Sequence, residues 1–174
     1  MSPVYLKWPG ISASRTLIIS VDKSEFGIRR DPLNFGGKTF LPKKETHITV
    51  FGSTEATELQ QMMQRDPAVE TDIIQAFENT DWSYTTTSEY RHLVRTAKNE
   101  AADHATEQSI IVLIEMDGMS VFYEKLKTLN LIDRDLPVPP PHVTLYTYNC
   151  DAGIGVHSED ALYELTRERI GKPA

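Results

Sequence analysis

Cysteine is nearly absent from this chain of 174 residues. Cys150 is the only one, so a disulfide within the chain is excluded, and a reducing compartment such as the cytoplasm is expected. Cys150 has no activating partner near it in the sequence, and we interpret it as a passive thiol.

Long apolar runs and an excess of positive charge are also missing. No run approaches the roughly 20 apolar residues that a membrane span requires, so no membrane partner is expected. The formal net charge is −7, from 18 basic and 25 acidic side chains. This balance argues against a protein that coats long nucleic acid by bulk attraction. It leaves room for a small nucleotide or oligonucleotide that binds at a local site.

The residue spacings typical of protein metal sites are missing as well. The sequence contains no His-Glu-x-x-His, no Cys-x-x-Cys and no His-x-His. We therefore expect no metal and no other cofactor. One alternative stays open, which is a metal ion held by two histidines and a carboxylate.

One short pattern is present twice. The pattern His-apolar-Thr-apolar-aromatic begins at His47 and again at His142, and a Leu-Pro pair precedes each histidine by six and five residues. Alternation of this kind is typical of a β-strand with two different faces. Thr49 then shares a face with His47, and Thr144 shares a face with His142. For either copy alone, a half-exposed strand is the simpler interpretation, but the repeated context favours a catalytic pair.

The remaining patterns predict an α+β fold. Hydrophobic residues make up 40% of the chain, which is enough for a core. We predict one bilobal domain over residues 1–174, with two pseudo-symmetric antiparallel-sheet half-domains, outer helices and a central cleft. The two lobes are interleaved around the strands that contain His47 and His142. Further strands are predicted at 15–21 and 109–116, and residues 82–98 are predicted to form a strand or a hairpin. A hairpin joins 26–30 to 38–41, and helices are predicted at 55–65, 66–79, 117–129 and 158–169.

The paired motifs resemble the signature of the two-histidine (2H) phosphoesterase superfamily. That superfamily includes 2′-5′ RNA ligase-like proteins and RNA 2′,3′-cyclic phosphodiesterases. The resemblance covers roughly residues 15–170 in layout, and the motifs at His47 and His142 match closely. It implies a metal-independent enzyme that opens the 2′,3′-cyclic phosphates of nucleotides or RNA ends.

The chemistry of the motifs agrees with this expectation. Histidine, with an ordinary pKa of about 6.5, serves as base or acid near neutral pH. Histidines on opposite sides of one phosphorus atom therefore act together, and His47 and His142 are the predicted catalytic pair. The hydroxyls of Thr49 and Thr144 are the predicted phosphate-binding donors. The assignment of base and acid is left open.

Six further side chains are candidates for substrate binding. Phe51 and Tyr146 close the two motifs and are predicted to stack on a base, although such aromatics also pack between sheets. Additional phosphates are predicted to be held by Lys43 and Lys44, which precede the first motif, and by Arg91 and Arg95, which share a face of their predicted strand. The alternative for these four side chains is solvated surface. The histidines outside the motifs are interpreted as structural or exposed, and these are His92, His104 and His157.

Two other functions remain open. One is hydrolysis of a 2′-5′-linked or cyclic oligonucleotide signal, and the other is a non-catalytic protein that binds a nucleotide or an RNA end. The intact histidines of both motifs count against the second alternative. A monomer is the expected oligomeric state.

Overall fold

A computed structural model describes residues 2–96 and 106–173 of the chain. These residues form eight β-strands, four α-helices and a short 3-10 helix at Lys23–Phe26. The strands are β1 (Leu17–Ser20), β2 (Leu33–Phe35), β3 (Lys38–Pro42), β4 (His47–Phe51), β5 (Thr85–Thr96), β6 (Thr106–Glu115), β7 (His142–Tyr148) and β8 (Thr166–Ile170). The helices are α1 (Ser53–Arg65), α2 (Pro67–Glu78), α3 (Asp117–Thr128) and α4 (Glu159–Leu165).

The described strands form one connected antiparallel sheet. Its order is β1-β4-β7-β6-β5-β8, and the β2–β3 hairpin joins it where β3 pairs with β7. The two motif strands, β4 and β7, are neighbours in this order. The predicted mixture of helices and an antiparallel sheet is therefore confirmed, while the division into two related lobes stays a prediction.

The main core lies on the apolar face of the motif strands. Ile48 and Val143, each between a motif histidine and its threonine, are fully buried there. Three aromatic rings from α2, α3 and the segment before β5 pack together in the same core, with Phe77, Phe122 and Trp82 at centroid distances of 4.7 to 5.7 Å. This close packing covers the apolar face of β4 and β7. The opposite face, which carries the motif histidines, contacts other elements.

A second, smaller core covers part of the histidine face. Ile111 of β6 is paired directly with Thr144 of β7, and residues opposite each other in an antiparallel pair share a face. Ile111 packs in a cluster with Ile154, Val156 and Leu162. The loop after β7 and helix α4 are therefore held on the same side of the sheet as the two motif histidines.

Two predicted elements are corrected by the structure. The predicted hairpin forms, but its first arm is β2 and not residues 26–30, where the 3-10 helix ends at Gly27 in the left-handed conformation, with φ of 62°. The predicted helix 158–169 ends at Leu165. Residues after it pair as β8 with β5, because the outer edge of β5 offers backbone groups that need hydrogen-bond partners.

No helix within residues 2–96 and 106–173 combines the length and the apolar character that crossing a membrane would require.

The contact between α3 and the segment before β5 leaves no room for a side chain at Gly118. A Cβ atom there would lie 2.2 Å from the backbone oxygen of Asp81. We expect Gly118→Ala to lower the free energy of unfolding by about 1–3 kcal/mol or more, because the clash outweighs the better helix propensity of alanine. Urea unfolding measures this loss. The control is Gly171→Ala, whose Cβ meets no atom within 4 Å; equal stability of both variants would contradict the packing described here.

Candidate functional site

Both motifs open onto one cavity. Its volume is about 570 Å³, and its lining includes His47, Thr49, His142 and Thr144. The other walls come from the start of α1 at residues 52–55, from Tyr123 of α3, from Arg95 of β5, from Leu136, Pro137 and Pro139, and from the loop at residues 152–157. Two histidines and two threonines from separate parts of the chain thus line a single cavity.

The strand register explains why these four side chains meet. Ile48 of β4 is paired with Val143 of β7 in antiparallel orientation. Continuing this register by one residue on either side places each motif threonine opposite the histidine of the other motif, where Cβ atoms are typically about 4.5–5.5 Å apart. The two histidines are then diagonal neighbours across the strand pair, a relation in which residues are typically about 7–8 Å apart and their Cβ atoms somewhat closer. A single small anion bound in this cavity would therefore have all four side chains around it.

A register shift follows the threonine in both motif strands. In β4, Thr49 pairs with Ile18 while Phe51 pairs with Leu17, so Val50 is an extra residue. In β7, Thr144 and Tyr146 pair with consecutive residues of β6, so Leu145 is extra in the same way. Such β-bulges break the alternation of side chains and re-aim the residues that follow.

The bulges correct the prediction for Phe51 and Tyr146. Both rings are buried, at 1% and 2% exposure, and neither lines the cavity. Phe51 stacks on Tyr123 with a centroid distance of 4.6 Å, and the Tyr146 hydroxyl accepts a hydrogen bond from the backbone N–H of Arg29. These aromatics pack in the core because the extra residue turns them away from the histidine face.

His142 is held in one tautomer. Its Nδ1 donates a hydrogen bond to the backbone carbonyl of Pro140 over 2.8 Å, so Nε2 is the nitrogen left for a ligand. Burial, with 8% of the residue exposed, lowers the pKa of His142. The hydrogen bond to Pro140 acts in the opposite direction, and the nearby His47 lowers the pKa further. The lowered pKa favours the neutral ring of His142, with its lone pair on Nε2.

His47 is half-buried, and its environment also favours the neutral ring. Burial lowers the pKa of His47, the positive charge of Lys43 lowers it further, and Glu45 opposes both. Lys43 itself does not line the cavity, because its Nζ donates a hydrogen bond to the backbone oxygen of Asp151 over 2.6 Å. The prediction that Lys43 contacts a phosphate is thus corrected. Lys43 lies outside the cavity lining and acts on the site through its charge, which lowers the pKa of His47.

Of the two arginines predicted to share a face of β5, Arg95 and not Arg91 reaches the cavity. Arg91 is buried and forms an ion pair with Glu89 at 2.7 Å. Arg95, four residues further along the strand, lines the cavity and donates through Nε to Glu107 over 2.8 Å. The cationic candidate at the site is therefore Arg95.

A third histidine lines the cavity. His157 is exposed and belongs to the loop after β7. In this loop the backbone N–H of Ile154 donates a hydrogen bond to the Ser109 hydroxyl over 3.0 Å. The position of His157 depends on this long-range contact, and no local sequence pattern indicates it. His92 is buried and hydrogen-bonded to Gln108 over 2.8 Å, and His104 lies outside the described residues.

Within residues 2–96 and 106–173, no group of three histidine, cysteine, aspartate or glutamate side chains is arranged to hold a metal ion. No family model, no curated protein and no solved structure matches the chain. The function is therefore inferred from the residues of the cavity and their geometry.

Proposed function

We propose that this protein is a metal-independent phosphodiesterase of the two-histidine type, which opens 2′,3′-cyclic phosphates of nucleotides or RNA ends. The observation that carries the proposal is the placement of His47, Thr49, His142 and Thr144 around one cavity. Two rings that exchange protons and two hydroxyls that donate to oxygen match the needs of phosphodiester hydrolysis. In this proposal the two motif strands belong to two related lobes of the domain.

The proposed reaction begins with a water molecule beside His142. Neutral Nε2 removes a proton from this water as the water oxygen forms a bond to phosphorus. The bond between phosphorus and the ribose 3′ oxygen breaks, and protonated His47 gives its proton to that oxygen. The product is a 2′-phosphate, and the two histidines exchange their protonation states with solvent before the next turnover.

His142 is the better base of the pair for a structural reason. Its tautomer is fixed by Pro140, and its buried ring favours the neutral state. His47 is more open to solvent, and the negative charge of a bound phosphate raises its pKa and favours the protonated state that an acid requires. Thr49 and Thr144 donate to the non-bridging oxygens, where charge is redistributed in the transition state.

The proposal is tested by incubating the protein with four groups of compounds. These are 2′,3′-cyclic mononucleotides, RNA with a cyclic-phosphate end, 2′-5′ oligonucleotides and cyclic dinucleotides, each with and without EDTA. We expect 2′-phosphate products from the first two groups, unchanged by EDTA, detected by ³¹P NMR. Turnover confined to the last two groups supports an oligonucleotide-signal hydrolase, and binding without turnover supports a binding protein. Activity that EDTA abolishes contradicts the metal-independent mechanism.

The pH dependence follows from the directions of the two pKa shifts. The active state of the free enzyme needs one protonated and one neutral histidine, so kcat/KM follows a bell-shaped profile. Because both histidine pKa values are lowered, the maximum is expected below about pH 6.5. Activity falls on the alkaline side as both rings become neutral, and on the acid side as both become protonated. A profile still rising above about pH 7 would contradict these assignments.

A charge variant tests the cause of the shift at His47. Lys43→Gln removes a positive charge that lowers the pKa of this ring, so we expect the alkaline limb to move to higher pH. Lys44→Gln is the matched control, because Lys44 is exposed and is not among the charges that shift His47.

A further inference from the structure

A side chain from α3 holds the backbone of β4 directly after Thr49. The Tyr123 hydroxyl donates a hydrogen bond to the carbonyl oxygen of Val50 over 2.8 Å. Val50 is the extra residue of the β4 bulge, where the regular ladder with β1 is interrupted. A buried carbonyl at such a place needs another donor, and Tyr123 supplies it.

The ring of Tyr123 also fixes the next residue of β4. It stacks on Phe51 at a centroid distance of 4.6 Å and an interplanar angle of 22°, and it is itself buried. Both residues that follow Thr49 are thus held by Tyr123, Val50 through the hydroxyl and Phe51 through the ring. The same ring forms part of the cavity wall.

The corresponding bulge in β7 is held differently. The carbonyl oxygen of Leu145 accepts a hydrogen bond from the backbone N–H of Lys43 over 2.9 Å. Replacing Lys43 with another residue that has a backbone N–H leaves this bond in place. The two motif strands are therefore unequal, because a side-chain hydroxyl holds the bulge carbonyl in the β4 half alone.

We propose that Tyr123 is a positioning residue of the site, whose hydroxyl fixes the β4 bulge and so sets the direction of the Thr49 side chain. This inference rests on the proposed function, since the phosphate that Thr49 binds must lie in line with His142. Misplacement of a reacting group by about 1 Å costs up to about 10²-fold in rate. The hydroxyl remains a donor across the pH range of an assay, because burial and the nearby Glu55 raise the pKa of Tyr123.

The test compares Tyr123→Phe with Tyr90→Phe. Both substitutions remove one hydroxyl from a buried tyrosine, but Tyr90 lies on β5 and does not line the cavity. For Tyr123→Phe we expect kcat on a 2′,3′-cyclic mononucleotide to fall about 10–100-fold with KM little changed. The NMR signal of the Thr49 methyl group should move in this variant. Neither quantity should change in Tyr90→Phe.

The outcomes separate this inference from the proposed function. If the wild-type protein turns over no cyclic phosphate, the proposed function is wrong. The Thr49 methyl signal in Tyr123→Phe and Tyr90→Phe then tests by itself whether Tyr123 positions Thr49. If the wild type is active and Tyr123→Phe equals Tyr90→Phe in kcat and in that signal, the positioning role is overturned. A loss of stability with unchanged kcat of the folded protein overturns it as well, because it leaves Tyr123 only a structural role.

Discussion

Replacing either His47 or His142 with alanine is expected to reduce kcat on a 2′,3′-cyclic mononucleotide by about 10²–10⁴-fold. This is the range for the loss of one general acid or base. In the proposed mechanism, loss of His142 leaves the attacking water without its base, and loss of His47 leaves the departing oxygen without a proton donor. Binding of a nucleoside 2′-monophosphate should largely survive in both variants, because the threonine hydroxyls remain.

The double variant distinguishes a coupled pair from two independent effects. Residues that act as a unit are not additive, so His47→Ala with His142→Ala should lose less than the product of the two single losses. Thermal unfolding of each variant controls for damage to the fold, since His142 is buried. A double variant that hydrolyses the cyclic nucleotide like the wild type would show that the mechanism is wrong.

Removing the motif hydroxyls is expected to have the second-largest effect. Thr49→Val and Thr144→Val preserve the shape of the side chain and delete one donor each. Loss of one preorganised donor to a developing charge typically reduces kcat by about 10²–10³-fold. We expect this decrease for both variants, with smaller changes in KM, because in the proposed mechanism the hydroxyls bind the transition state more strongly than the substrate.

A third threonine provides the matched control for these variants. Thr147 lies on β7 as Thr144 does, but it is buried and does not line the cavity. Thr147→Val should retain wild-type kcat. If Thr49→Val and Thr144→Val retain it too, the hydroxyls do not stabilise the phosphate, and the site consists of the histidines alone.

That the two motif histidines and the two motif threonines line one cavity could be predicted, because it depends on local alternation. A histidine and a threonine two residues apart on a strand share a face in any regular strand, and the repeat suggested that two such strands meet. The same rule predicts the wrong face of the strand for Phe51 and Tyr146. The bulges at Val50 and Leu145 depend on how β1 and β6 pair with the motif strands, which alternation within one strand does not encode.

The rim of the cavity depends on contacts distant in sequence. His157 reaches the cavity because its loop is fastened to Ser109 and packed into the smaller core. Arg91 and Arg95 are equivalent in their alternation, and their surroundings decide that Arg95 alone of the two lines the cavity. The composition of residues 158–169 suits a helix throughout. The strand β8 nevertheless forms, because the outer edge of β5 has backbone groups that need hydrogen-bond partners.

The most direct test of the central claim is a titration of the wild-type protein with a nucleoside 2′-monophosphate, followed by NMR of the histidine ring protons. The signals of His47 and His142 are assigned with the two alanine variants. If one phosphate lies between the two rings, both signals move along one binding curve that saturates at one equivalent of ligand. If one ring responds alone, or the two rings respond along different curves, the histidines do not share a phosphate and the proposed mechanism is contradicted.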